Sequence, residues 1–529
     1  MQEEMVNSST TEKGELDRIR FNLFSWIDFE DRQVLVAGED SELYCKLLSE
    51  NGVKALAAAS PDTQSIEKES IDVIILLGSE AGKCSDYVNL LKQDGELILA
   101  VNNKLGIHRW SGKRNTVRGY FAESDESAGD DRTSSEKTAT FSGKEIENYL
   151  TEAGMSISDT YYPIPDMLYP RMIYRRGQEP QEGFFEVPTP DYKESRISFF
   201  DETEFMDTAG EAGIAGEFAN SFIVVAGKNL PADEKSLSRK LLYARFNSER
   251  MSKWRTDTYI YKIGKCIDVV KKASCKDAME HLVKIERNNQ LLKESGCSIR
   301  PADVRNVNDE LHFEYIEGKS LSSIVGEMKG SLTELAARIK ELLQPVFGEE
   351  KKPEASDEAT KDAKEKVFNL DMIPSNIIRS PEGELVMIDY EWVFSKEEAK
   401  EAGFEIDDKF VRFRAMSYLF KDNQKKCFAG IMYDQFMKAM GFSAEDIEKN
   451  SEQEDIFQQY VYGRDWSGMV TRGLMKDVTQ IGDLEDVLSD KLRHIGALEA
   501  SNAKLKTLVK VMAALGVAAA VIIVLLIIF

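Results

Sequence analysis

Residues Phe368 to Trp392, FNLDMIPSNIIRSPEGELVMIDYEW, concentrate the residue types on which phosphoryl transfer depends. Asp371 and Asn376 stand five apart in a loop entering a short strand, Asn376-Ile377-Ile378. A turn at Pro381-Glu382-Gly383 then leads into a second strand, Leu385 to Ile388, that ends in Asp389. The pattern predicts a hairpin with two carboxylates and one carboxamide at one end. Such a set suits transfer of phosphate to a hydroxyl: Asp371 orients or deprotonates the acceptor, while Asn376 and Asp389 hold magnesium on the nucleotide phosphates. The competing reading is that all three are turn and cap residues, where Asp and Asn are common.

The elements that must position these residues belong to a chain of 529 residues, which at roughly 100 to 200 residues per domain means two to four domains. Three polar stretches divide it: Ala122 to Lys137, Asn229 to Ser236, and Glu349 to Lys366, the last too charged to pack. The expected organisation is a disordered N-terminus at 1–14, a first domain at 15–230 and a second at 238–478 with a disordered insert at 349–366. A net charge of −24, from 68 Lys plus Arg against 92 Asp plus Glu, repels a phosphate backbone and argues against nucleic-acid binding. The six cysteines and four histidines are scattered, with no CxxC pair, so neither a disulfide framework nor a zinc knuckle has support and the thiols fit a reducing cytosol. The polar, acidic N-terminus lacks the features of a secretory signal.

In the first domain, apolar runs alternate with helical segments: Gln33 to Ala37, Val53 to Ala58, Ile71 to Leu77 and Glu96 to Val101 read as strands, with a helix at Ser41 to Asn51. Continuous apolar strands between helices mean a parallel sheet covered on both faces, a doubly wound α/β domain. With IDVIILLGSE, LLKQDGELILAVNNKLGIHRWSGKRN, TATFSGKEIENYLTEAGM, YYPIPDMLYP and the closing EFANSFIVVAGK, the stretch Phe21 to Lys228 resembles the class I S-adenosylmethionine-dependent methyltransferases associated with bacterial surface-polysaccharide glycosyltransferases. The resemblance implies a Rossmann-like fold. It also implies a glycine-rich turn against the cofactor's methionine portion, for which Gly38 is the candidate, and an acidic residue after the second strand. Here the turn is Ala37-Gly38-Glu39-Asp40-Ser41, one glycine beside two carboxylates, and the second strand ends Ala57-Ala58-Ala59-Ser60 without an acid. Gly38 reads equally as the turn glycine of any βα unit. Asn102, Asn103, Lys104, Trp110, Arg114 and Tyr120 match the family's substrate side, where a glycan or a partner is the implied ligand.

The spacing of Asp371, Asn376 and Asp389, the IDYEW ending, and the hinge-like LHFEYIEGKSL from Leu311 to Leu321 resemble the aminoglycoside and choline kinase-like phosphotransferases. That implies a bilobal α+β, protein-kinase-like domain using magnesium-ATP. The β-hairpin TDTYIYKIGKCIDVVKK ends in a strand whose Lys271 matches the phosphate-binding lysine, with Glu286 on the following helix as its ion-pair partner; Lys272 and Glu280 are near-equal candidates. Asn369 stands where the family usually has histidine, and no glycine-rich loop precedes Lys271.

At the other end, Val511 to Phe529 is 19 residues without a polar side chain. As a helix it is about 28 Å long, close to the roughly 30 Å hydrocarbon thickness. Lys504, Lys506 and Lys510 before it place that side in the cytoplasm, so a single-pass anchor in the inner membrane is expected, against the alternative of a buried core helix. Ile481, Leu484, Leu488, Ile495, Leu498, Leu505 and Val509 fall on heptad spacing, interrupted by Lys491 and Asn502, which predicts a parallel dimeric coiled coil at 480–509, or else one amphipathic helix packed on its own domain. The composite expectation is a membrane-anchored, cytosol-facing transferase of cell-envelope polysaccharide, with magnesium-ATP and S-adenosylmethionine as cofactors and a glycan or its glycosyltransferase as partner. The alternatives are an inactive scaffold for such a glycosyltransferase and a methyltransferase working through a non-standard loop.

Overall fold

The structure is a computed structural model that describes residues 16–58, 66–112, 114–115, 119–120, 140–178, 196–228, 239–295, 299–348, 366–463 and 478–528. The acidic stretch at 122–137, the linker at 229–236, the N-terminal 1–14 and nearly all of the insert at 349–366 lie outside these residues.

The first half builds a mixed sheet. Strands β1 (Gln33–Gly38), β2 (Lys54–Ala58), β3 (Ile71–Leu77) and β4 (Leu91–Asn103) are parallel, in the order β2-β1-β3-β4. Alternate residues of β1 and β3 enter two different cores: Leu35, Ala37, Ile74 and Leu76 on one face, Val34, Val36, Val73 and Ile75 on the other. Burial on both faces explains why these strands read as unbroken apolar runs rather than as alternation. Strands β5 (Ser156–Ile164), β6 (Met172–Arg175), β7 (Arg196–Ser198) and β8 (Ser221–Gly227) follow. β8 inserts antiparallel between β4 and β5, and β6 lies antiparallel against β5.

The sheet does not stop at the expected domain boundary. Strand β9 (Lys240–Arg245) pairs antiparallel with β6, Tyr243 opposite Tyr174 and Arg245 opposite Met172, and carries the hairpin of β10 (Thr256–Ile263) and β11 (Cys266–Ala273) with it. Strands β12 (Val304–Val307) and β13 (Glu310–Phe313) complete a sheet that, among the described residues, has thirteen strands: β1 to β6, β8 to β13 and the short Thr140–Phe141 beside β4, with β7 outside it. An open edge at β6 is thereby covered, which removes a site for pairing with foreign chains. One apolar core, from Phe24, Val36 and Tyr44 to Leu241, Ala244, Tyr259 and Val270, runs under both halves.

Beyond β13 the chain turns helical. The hairpin of β14 (Ile377–Arg379) and β15 (Leu385–Met387) forms where the sequence predicts it, Ile377 opposite Met387, with Gly383 in the turn at φ 89°. It packs in a separate core with helices including α1 (Met279–Glu294), α2 (Asp408–Asn423) and α3 (Ala444–Tyr462). A last strand, β16 (Val478–Gln480), returns to pair parallel with β7 of the first half and leads into α4 (Ile481–Ile528). This one uninterrupted helix of 48 residues, about 72 Å long, contains both the heptad segment and the apolar segment. Within Lys491–Val524 the most apolar 18-residue window has a mean hydropathy of 2.4 and none of it is buried, so by length and composition the helix is able to cross a membrane. Leu488, Ile495, Leu498, Leu505 and Val509 all lie exposed on it.

Candidate functional site

Lys271 on β11 projects from the hairpin face shared with Thr256, because cross-strand partners and every second residue point the same way. That face meets the segment after β15. The Lys271 ammonium donates to Asp389 at 2.8 Å and to Glu391 at 2.7 Å, joining residues more than a hundred positions apart. Lys272 lies on the opposite face, paired with Glu310 at 2.5 Å beside the ring of Tyr259. Strand alternation therefore puts Lys271, and not Lys272, beside Asp389.

The expected partner of Lys271 is corrected. Glu286 accepts from the Asn306 amide at 3.2 Å and Glu280 is exposed, so neither meets the ammonium. Helix α1 turns His281, Ile285, Asn288 and Leu292 inward, and at 3.6 residues per turn Glu286 falls off that face. Asn288 ties the helix to the site through the carbonyls of Tyr390 and Glu391, at 2.9 and 3.0 Å. The carboxylate that does the pairing is Glu391, 3% exposed, which also accepts from Arg250 and from Thr256 and is held well below the usual carboxylate range, its burial outweighed by the Arg250 and Lys271 charges. It lies two residues past Asp389 in IDYEW and meets the same ammonium, whereas Tyr390 between them is buried in the core.

Asp371 sits beneath this pair. Its Oδ2 accepts from the Trp392 amide at 2.9 Å, its own amide donates to Asn369 at 2.9 Å, and the Asn376 side chain donates to its carbonyl at 3.1 Å. Asn369, in place of the expected histidine, thus shapes the loop. The Ile388 amide donates to the Asn376 carbonyl at 2.9 Å, which draws Asn376 and Asp389 to the same end of the hairpin. Burial, then the nearby Asp389 charge, push the Asp371 carboxyl up to about 7 against the pull of Arg414. A proton acceptor near neutrality is the useful kind.

Among the described residues no group of three or more His, Cys, Asp or Glu side chains could cage a metal. Asn376 and Asp389 still fit magnesium, which keeps waters and takes only one or two protein oxygens when substrate phosphates supply the rest. Lys271, Asp371, Asn376 and Asp389 therefore gather at one end of the hairpin.

The turn after β1 fits S-adenosylmethionine poorly. Gly38 has φ 105°, and a Cβ there would lie 2.1 Å from the Leu77 carbonyl oxygen, so this glycine serves the close approach of β1 and β3. The Glu39 carboxylate lies over Gly78, 2.9 Å from where a Cβ would stand. An acid thus occupies the gap between the two turns. Of the residues expected on the substrate side, Asn103 is buried and clamps the carbonyls of Glu217 and Ala219 at 2.8 and 2.7 Å. Asn102 accepts from Ser221 at 3.1 Å, and Lys104 pairs with Glu145 at 2.9 Å. Trp110 is 40% exposed, its indole nitrogen donating to the Leu105 carbonyl at 3.1 Å. The side chains of Arg114 and Tyr120 lie outside the described residues.

No protein-family model and no curated relative matches the chain. Solved structures similar to part of it include a SAM-dependent methyltransferase, possible histamine N-methyltransferase, from Thermotoga maritima, at 11% identity over 41% of this chain and 89% of that one, with a TM-score of 0.22. The choline kinase LicA from Streptococcus pneumoniae aligns at 17% identity over 41% of this chain and 89% of its own, TM-score 0.23. A SAM-dependent methyltransferase from Archaeoglobus fulgidus aligns at 10% identity over 40% and 93%, TM-score 0.25. Scores this low carry no argument about this chain, and what the site does is read from its own geometry.

Proposed function

We propose that the chain is a membrane-anchored, cytosol-facing transferase-type protein whose kinase-like half phosphorylates a hydroxyl of a cell-envelope glycan, while its methyltransferase-like half serves recognition rather than methyl transfer. The observation that carries the reading is the gathering of Lys271, Asp371, Asn376 and Asp389 into one cluster from segments far apart in sequence. Asn376 and Asp389 would hold magnesium, which supplies neutralising charge on the nucleotide phosphates when bound. Lys271, steadied by Glu391 and through it by Arg250, presents its ammonium to those phosphates. Asp371 takes the proton of the acceptor hydroxyl as the new oxygen–phosphorus bond forms and the bond to ADP breaks. The resemblance of the first half to polysaccharide-associated methyltransferases supports the glycan. The apolar C-terminal helix supports the inner membrane, with the lysines before it on the cytoplasmic side.

A second reading, an inactive scaffold for an envelope glycosyltransferase, is favoured by one feature: Lys271 and Asp389 neutralise one another, so a nucleotide has to displace an existing ion pair. Thermal denaturation of the full chain in detergent separates the two. Magnesium-ATP is expected to raise the midpoint, the Asp389→Ala variant to lose that rise, and S-adenosylmethionine to leave the wild type unchanged. No magnesium-ATP effect on the wild type would put the scaffold first.

A further inference from the structure

Next to the segment that carries Asp371, helices α2 and α3 form a polar shelf centred on Arg414, 5% exposed. Its guanidinium donates to the Leu370 carbonyl and, through Nε, to both oxygens of the Glu454 carboxylate, at 2.9 and 3.2 Å. It also lies over two rings, 4.9 Å from the centroid of Tyr418 and 4.8 Å from that of Phe457. Gln458 closes the arrangement, donating to Glu454 at 2.6 Å and to the Tyr418 hydroxyl at 3.4 Å.

A carboxylate flanked by aromatic faces is the equipment with which proteins hold an ammonium or quaternary amine. Here that equipment is complete, and a side chain of the protein already fills it. A cationic acceptor would meet no uncompensated acid on this shelf. A neutral polyhydroxyl compound meets a different surface: the Tyr418 hydroxyl and the Gln458 amide are each able to donate and accept.

We propose that Arg414 occupies from within the carboxylate-and-aromatic site a cationic acceptor would need, so that the site selects neutral hydroxyl compounds and rejects amines. The proposal rests on the phosphotransferase reading and narrows its acceptor class. It predicts that Arg414→Met uncovers a cation site formed by Glu454, Tyr418 and Phe457.

The test is a thermal-shift titration of the full chain in detergent with choline as the cation probe, on the wild type, on Arg414→Met and on Arg414→Met/Glu454→Gln. The single variant leaves Glu454 without its cation, so it loses stability, and choline is expected to restore part of it. The wild type is expected to show no choline shift. The double variant, which leaves no orphaned charge, is expected to fold and to bind choline at least tenfold more weakly than the single one. A choline shift in the wild type, or choline-stimulated release of ADP from magnesium-ATP, overturns the proposal. So does the absence of any choline effect on Arg414→Met, whether that variant is folded at the start or not. The magnesium-ATP shift of the wild type and its loss in Asp389→Ala are read in the same plates, so a failed nucleotide site is told apart from a wrong acceptor class.

Discussion

Replacing Lys271 by methionine, beside the matched replacement of Lys272, tests the site most directly. The two residues are neighbours of the same type on one strand, yet their surroundings differ. Lys271 is 7% exposed between Glu391, itself buried, and Asp389. Lys272 and its partner Glu310 each keep more than a quarter of their side-chain surface in solvent. Removing one partner of a buried pair costs about 3–5 kcal/mol. Glu391 retains Arg250 and Thr256, so the lower end, roughly 3 kcal/mol, is expected for Lys271→Met. An exposed pair is worth about 0.2–1 kcal/mol, which is the expectation for Lys272→Met. At roughly 2–4 °C per kcal/mol for units of this size, the midpoints should fall by about 6–12 °C and at most about 4 °C respectively. The same samples, scanned with magnesium-ATP at a hundred times its dissociation constant, should gain about 2.7 kcal/mol in wild type and Lys272→Met and nothing in Lys271→Met. Equal losses in the two variants, or a full nucleotide shift in Lys271→Met, would refute the reasoning from strand alternation and burial.

Further substitutions address the parts that hold the site. Gly38→Ala puts a methyl group 2.1 Å from a carbonyl oxygen at a left-handed φ, and a loss of roughly 3 kcal/mol or more is expected in denaturant unfolding whether or not S-adenosylmethionine is present. Arg196 and Glu202 form a pair with both side chains 2% exposed, on and just after the strand that receives β16. Arg196→Met should cost about 3–5 kcal/mol, with Arg196→Met/Glu202→Gln recovering much of it in a double-mutant cycle. Asn502→Leu fills a polar seam position of the exposed heptad face, and ultracentrifugation of the full chain in detergent is expected to show a changed or mixed oligomeric state. An unchanged monomer in both forms would remove the dimer.

Several features were legible in the sequence because they are local. Runs such as VIILL, Val73 to Leu77, announce strands buried on both faces, since only a fully covered strand can be apolar at every position. The hairpin around Pro381-Glu382-Gly383 and the loop from Asp371 to Asn376 follow from turn chemistry within a few residues. The C-terminal helix follows from composition alone, although two segments expected there, a coiled coil and an anchor, are one continuous helix.

What the tertiary structure decided depends on pairings between residues far apart, to which no local signal points. The union of both halves in one sheet is a contact of β6 with β9, and nothing in the composition of either strand names its partner. Lys271 rather than Lys272 is a matter of strand register, and a shift of one residue would exchange their faces. Glu391 takes the role expected of Glu286 because the rotation of α1 turns Glu286 away, and that rotation is set by how the whole helix packs. Arg414 lies forty-three positions beyond Asp371 in a helix whose sequence looks ordinary, and only packing brings its guanidinium between Glu454, Tyr418 and Phe457. The residue types that could do chemistry were thus readable one segment at a time, while their assembly into a site belongs to long-range geometry.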